Sequence, residues 1–178
     1  RPLRGVEKER KVNRVICMSP HSGSCDYLTA RVADKTGFER IFLRSLGFSP
    51  CNGCGGCGGG NGCVYDDGAS RLLEDIRRGG KTLFVTPLYF CNFPACAKAF
   101  LDRAQAYWEK GEKCPSQFYL LAVGGQGEEN NFSSAYLTFR AFCIAMGAEF
   151  AGAKYIGGVE EAGDISEKAV LDVFDMIG

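Results

Sequence analysis

Histidine is almost missing from this sequence: His21 is the only one in 178 residues. That leaves no Ser-His-Asp triad and no histidine-based metal site to look for. Net charge is missing too, since 21 Lys and Arg balance 21 Asp and Glu. Broad electrostatic binding to nucleic acid or an anionic membrane surface needs a basic excess, so both partners are excluded as the main business of the chain. No apolar run approaches the roughly 18 residues that a membrane-spanning helix requires. Residues Arg1 to Arg14 are charged and lack the apolar core of a secretory signal, so the expected location is the cytoplasm. Without such a signal, the ten cysteines point to metal or redox chemistry rather than to a disulfide framework.

What the chain does have is alternation. Short apolar runs at Val12–Met18, Phe38–Leu43, Lys81–Thr86, Gln117–Val123 and Glu149–Ile156 read as strands. Between and after them, 26–35, 67–78, 94–110, 133–146 and 166–176 read as helices, with Pro94 opening the longest and Ser133 or Ser134 capping the next. Strands alternating with helices imply right-handed crossovers and a parallel sheet covered on both faces. The expected fold class is α/β: a flavodoxin-like three-layer sandwich with a five-stranded parallel sheet, order 2-1-3-4-5, and ligands at the carboxyl ends of the strands. One domain over 1–178 is expected, with an N-terminal extension at 1–11 and a Cys/Gly-rich loop inserted at 48–67.

After the first strand comes Ser19-Pro20-His21-Ser22-Gly23-Ser24-Cys25. Small hydroxyl residues running into a helix offer backbone N–H groups, hydroxyls and a positive helix end to an anion. An ordinary capped β–α turn reads the same way. Cys25 stands where a helix N-terminus lowers a thiol pKa. After the third strand, Pro87, Leu88, Tyr89, Phe90 and Asn92 combine a rigid exit, aromatic faces and a polar amide. Gly124, Gly125 and Gln126 follow the fourth strand at the same end of the sheet and let backbone approach a ligand closely.

The inserted loop carries Cys51, Cys54, Cys57 and Cys63, four thiols in thirteen residues separated largely by glycine. The first three have the C-x₂-C-x₂-C spacing of ferredoxin-type runs. A four-cysteine zinc site and a set of free cysteines stay open beside an iron–sulfur cluster. The run Gly53-x-Gly55-x-x-Gly58 matches a dinucleotide fingerprint only literally, because no strand precedes it and no helix opens on it. Cys17 and Cys143 fall on apolar faces and read as core.

Taken together and in order, these segments resemble the flavodoxin-like NAD(P)H-dependent FMN oxidoreductases, and within them the iron–sulfur flavoproteins. The resemblance spans about residues 12 to 125. It rests on Ser19-Pro20-His21 with Gly23-Ser24-Cys25, on Pro87-Leu88-Tyr89, on Lys98-Ala99-Phe100-Leu101-Asp102-Arg103, and on Cys51 through Cys63 followed by Asp66-Asp67. His21 departs from the family's Arg, and Ser24-Cys25 from its Asn-Thr. The resemblance implies FMN, its phosphate on Ser19, His21, Ser22, Ser24 and Cys25, and its ring between Pro87–Asn92 and Gly124–Gln126. It further implies a [4Fe–4S] cluster on the four cysteines. NAD(P)H or a redox protein such as ferredoxin would be the donor, and a quinone or other small molecule the acceptor. A partner subunit would complete the electron route, in a homodimer or homotetramer. Two alternatives remain: a cluster-free NAD(P)H-dependent FMN or quinone reductase, and a zinc-stabilised binding module without turnover.

Overall fold

The computed structural model describes residues 11–127 and 129–178; all but the last residue of the 1–11 extension lies outside them. Strand β1 (Arg14–Cys17) leads to helix α1 (Ser24–Thr36), β2 (Glu39–Phe42), α2 (Gly68–Arg77) and β3 (Gly80–Pro87). Helices α3 (Ala95–Asp102) and α4 (Gln105–Trp108), β4 (Ser116–Val123), α5 (Ser133–Met146), β5 (Glu149–Ile156) and α6 (Glu167–Ile177) complete it. The five strands form one sheet in the order β2-β1-β3-β4-β5, every pair parallel. The order is the one the sequence pattern predicts. No helix among the described residues is long and apolar enough to cross a membrane.

Strand periodicity builds the two faces, because successive side chains point to opposite sides. Val15, Cys17, Leu83, Val85, Leu121 and Val123 pack with Leu28 and Val32 of α1 and Val170, Val173 and Ile177 of α6. Ile16, Phe84, Phe118 and Leu120 pack on the other face with Leu72, Leu73 and Ile76 of α2, Phe100 of α3 and Phe139 and Phe142 of α5. Cys17 and Cys143 are both fully buried, as core residues. Phe84 is the hub of the second layer, edge-on to Phe118, Phe139 and Phe142 at 5.2, 5.1 and 5.7 Å.

Two local expectations fail. The helix expected over 94–110 is two helices, because the chain tightens at its middle: Arg103 N–H bonds Phe100 O at 3.1 Å and Ala104 N–H bonds Leu101 O at 3.0 Å. Both are three-residue closures, and they occur where the Arg103 side chain leaves the helix for a buried site. Neither Ser133 nor Ser134 caps α5: no side chain accepts from its first turn, and the Ser133 hydroxyl donates to Asn130 O at 2.7 Å. Ser166 does cap α6, accepting from Ala169 N–H at 3.2 Å. Ser166→Ala is expected to cost about 1 kcal/mol and to lower Tm by roughly 2–4 °C for a chain of this size, measured by thermal unfolding.

Candidate functional site

A cavity of about 500 Å³ opens at the carboxyl ends of β1, β3 and β4. It gathers Ser19, His21, Ser22, Ser24 and Cys25 from the first loop, Pro87, Leu88 and Tyr89 from the second, and Gly124, Gly125 and Gln126 from the third. Its size lies within the roughly 300–1,000 Å³ range of small-molecule and cofactor sites. The backbone brings the loops together directly. Met18 N–H bonds Val85 O at 2.8 Å, and Leu88 N–H bonds Val123 O at 2.8 Å. No side chain caps the first turn of α1, whose N-cap is Gly23, so its opening N–H groups face the cavity's rim as free donors.

Ser19 is buried and organises its own loop: its hydroxyl donates to His21 O at 2.7 Å and accepts His21 N–H at 3.3 Å. The imidazole is fully engaged. Nδ1 lies 2.9 Å from Ser22 O and Nε2 lies 2.9 Å from the Tyr89 hydroxyl. A carbonyl only accepts, so Nδ1 carries the proton and a neutral ring accepts the Tyr89 O–H at Nε2. His21 therefore ties the first loop to the second instead of pointing a free donor at an anion. No Lys or Arg lines this cavity among the described residues.

Cys25 does not fit the low-pKa expectation. It is buried, and desolvation pushes its thiol well above the ordinary range, with Cys17 and Asp26 adding to the rise. Burial outweighs the helix end here. Cys17 is likewise raised, to about 11, chiefly by burial. Asp26 carries the local charge: burial pushes its carboxyl up, but Arg44 and the Cys17 thiol outweigh that and hold it low. The Arg44–Asp26 contact is 2.6 Å.

Phe90 and Asn92 are not brought to the cavity. Tyr89 and Asn92 pair through N–H···O bonds of 2.8 and 3.1 Å around a two-residue hairpin turn. Phe90 and Cys91 occupy its tip with φ of 50° and 62°, a left-handed conformation unusual for such residues. The Phe90 side chain is fully exposed. The Asn92 amide is spent on the fold, donating to Ser134 Oγ at 2.9 Å and accepting Phe93 N–H at 2.8 Å.

Residues Val159 to Ala162, after β5, complete the cavity wall and were missed. Their position was readable in principle, since every carboxyl-end loop of a doubly wound sheet faces the same crevice. Here Asp164 accepts Glu160 and Glu161 N–H, both at 2.9 Å, which fixes the loop. The two glycines after β4 answer to these neighbours: a Cβ on Gly124 would meet the Tyr155 hydroxyl at 2.7 Å, and one on Gly125 the Glu160 carboxylate at 2.3 Å.

The four loop cysteines lie elsewhere. Cys51, Cys54, Cys57 and Cys63 line one cavity of about 200 Å³, closed on its far side by Asp102, Arg103, Gln105, Ala106 and Glu109. Gly53 and Gly55, on either side of Cys54, hold φ of 70° and 72°, which lets the chain curl around the cavity. No three His, Cys, Asp or Glu side chains among the described residues come close enough to hold a single ion. This cavity shares no lining residue with the larger one. The cysteine loop lies against the end of α3 and against α4.

Arg103 closes the base of that loop. Its side chain is 1% exposed. Nη1 donates to Ser49 O at 2.8 Å and Asp67 Oδ2 at 2.7 Å; Nη2 donates to Tyr65 O at 3.3 Å and Ser70 Oγ at 2.6 Å. Both ends of the cysteine segment are thus held by one guanidinium. Asp102 plays no part, pairing instead with Lys98 one turn back at 2.5 Å.

No family model matches the chain. An iron–sulfur flavoprotein from Methanosarcina thermophila is 30% identical over 128 residues, 66% of this chain and 67% of the relative. The chain belongs to the iron–sulfur flavoprotein family. It is thereby one of the flavin-dependent oxidoreductases of flavodoxin-like fold, which sets aside the reading as a zinc-stabilised module without turnover. Solved structures agree on the fold. The Trp repressor binding protein of Bacillus subtilis superposes with a TM-score of 0.63 at 19% identity, covering 93% of this chain and 97% of its own. An FMN-dependent NADH-azoreductase of Bacillus anthracis, solved with FMN, gives 0.66 at 14% identity over 93% and 97%.

Proposed function

We propose that this iron–sulfur flavoprotein family member is an FMN-dependent electron-transfer oxidoreductase whose Cys51–Cys63 loop holds a [4Fe–4S] cluster. The observation that carries the flavin is the 500 Å³ cavity at the carboxyl ends of the sheet, with three separate loops converging on it beside an uncapped helix start. Ser22, Ser24 and the first N–H groups of α1 would take the phosphate, and Pro87–Tyr89 with Gly124–Gln126 would flank the ring. FMN supplies the ability to accept two electrons together and release them singly. The residues of the chain position it. The His21–Tyr89 bond fixes the phosphate end against the ring end, Gly124 and Gly125 let the loop after β4 pack closely against Tyr155 and Glu160, and the protonated Cys25 thiol forms an apolar floor.

For the cluster, the supporting observation is that all four thiols line one cavity of about 200 Å³. NAD(P)H or a ferredoxin-like protein is the proposed donor, with a quinone or other small-molecule acceptor. Since the two cavities share no residue, electrons are proposed to pass between subunits of a homo-oligomer, each cluster facing a partner's flavin. Exposed Trp108, Leu137 and Ile144 support such an assembly.

The test is one anaerobic preparation, analysed for flavin, iron and acid-labile sulfide. Flavin with iron and sulfide supports the full reading, and Cys54→Ser should then lose iron while keeping flavin. Flavin alone, with steady NADPH oxidation, leaves the cluster-free reductase. Absence of flavin overturns both.

A further inference from the structure

Arg103 has five N–H donors, and the contacts above satisfy only the four on its terminal nitrogens. Its Nε is buried with no hydrogen-bond partner. Leaving such a donor unmet costs roughly 1–3 kcal/mol, more on a charged group, so folded chains seldom do it. Arg103 lines the cysteine cavity together with Cys51, Cys54, Cys57 and Cys63.

We propose that Arg103 is a positioning residue for the redox centre, its Nε–H donating to a sulfur of the group held by the four cysteines and setting that group's reduction potential upward. The inference rests on the cluster reading and deepens it. Hydrogen bonds to cluster sulfurs and local charge are two of the levers that set such potentials. Reduction adds negative charge at the sulfurs, so a donor aimed there stabilises the reduced form more than the oxidised one. Asp67, 2.7 Å from Nη1, offsets the guanidinium charge at longer range. The effect is therefore short-ranged and carried by the N–H itself. It also explains why an arginine is needed: a lysine in its place supplies a charge but has no second edge to turn toward the sulfurs.

The experiment is a redox titration of the holoprotein, followed by EPR after iron and sulfide have been counted. Arg103→Lys should retain iron and shift the reduction equilibrium about tenfold against the reduced form, ~59 mV downward for one electron. An iron-replete variant with the wild-type potential overturns the proposal. Because the variant can instead lose its loop, a second measurement uses the wild type. Pulsed EPR of the reduced protein, labelled with heavy-nitrogen arginine, should show one weakly coupled nitrogen. No such coupling overturns the proposal even if the variant holds no iron. Wild-type protein that binds flavin but no iron fails the cluster reading itself, a different result from an iron-replete protein with no nitrogen coupling.

Discussion

Asp67→Ala is expected to lower the unfolding free energy by about 3–5 kcal/mol, the usual cost of removing one partner from a buried ion pair. Arg103 would keep its charge, 1% exposed, with no carboxylate beside it. Asp67 is also the N-cap of α2, accepting Ala69 and Ser70 N–H at 3.1 Å each, and it accepts Ser49 N–H at 3.2 Å. Losing the cap costs on the order of a further 1 kcal/mol. With a urea m-value of about 2 kcal/mol/M, the midpoint should fall by roughly 2–3 M. The pH dependence gives a second signature. Burial pushes the Asp67 carboxyl up, but Arg103 and the backbone N–H groups of Ser70 and Ser49 pull harder, so its folded pKa is depressed. A depressed pKa stabilises above the unfolded value of about 3.9, and that stability is lost as pH falls through the folded value. The difference between wild type and Asp67→Ala should therefore be full at neutral pH and shrink below about pH 4. A constant difference down to pH 2 would mean that the pair contributes nothing through its charge.

That ion pair marks the boundary of what the amino-acid order discloses. Strand alternation, with Val15 and Cys17 facing one layer and Ile16 the other, is local, and so the layers and the strand order were legible. Arg103 and Asp67 were legible only as members of motifs. Their contact spans 36 residues and exists because α2 and α3 lie side by side. The same limit explains the broken helix, since nothing local in Arg103-Ala104 opposes helix. Cys25 shows a competition of terms: the helix end is visible in the sequence, whereas the depth of burial that overrides it is tertiary. Phe90 and Asn92 follow Pro87–Tyr89 in the same loop, but a hairpin turn inside it sends one side chain to solvent and commits the other to Ser134. The location of the cysteine loop against α3 and α4 follows from Arg103 anchoring both of its ends, which no spacing of cysteines reveals.

Ser24→Asp should separate flavin binding from folding, because the two respond with opposite sign. Ser24 is the first residue of α1, and a carboxylate there interacts favourably with the helix end by about 0.3–1 kcal/mol. The protein without flavin should be as stable as wild type or slightly more so. A flavin phosphate placed at the same helix end would meet a like charge. Two unit charges about 4 Å apart repel by about 4 kcal/mol at an effective dielectric near 20, close to three orders of magnitude in affinity. Among the described residues no lysine or arginine lines the cavity to screen them, and both nitrogens of His21 already have protein partners. Ser24→Ala, which removes a single hydroxyl donor to a charged group, should cost only about 1.5–3 kcal/mol. Flavin retained on purification and the FMN dissociation constant measure both variants. Raising the salt concentration should recover part of the loss in Ser24→Asp and none in Ser24→Ala, since only the first is a repulsion that ions screen. Flavin affinity unchanged in Ser24→Asp would move the phosphate away from α1, and with it the assignment of the first loop.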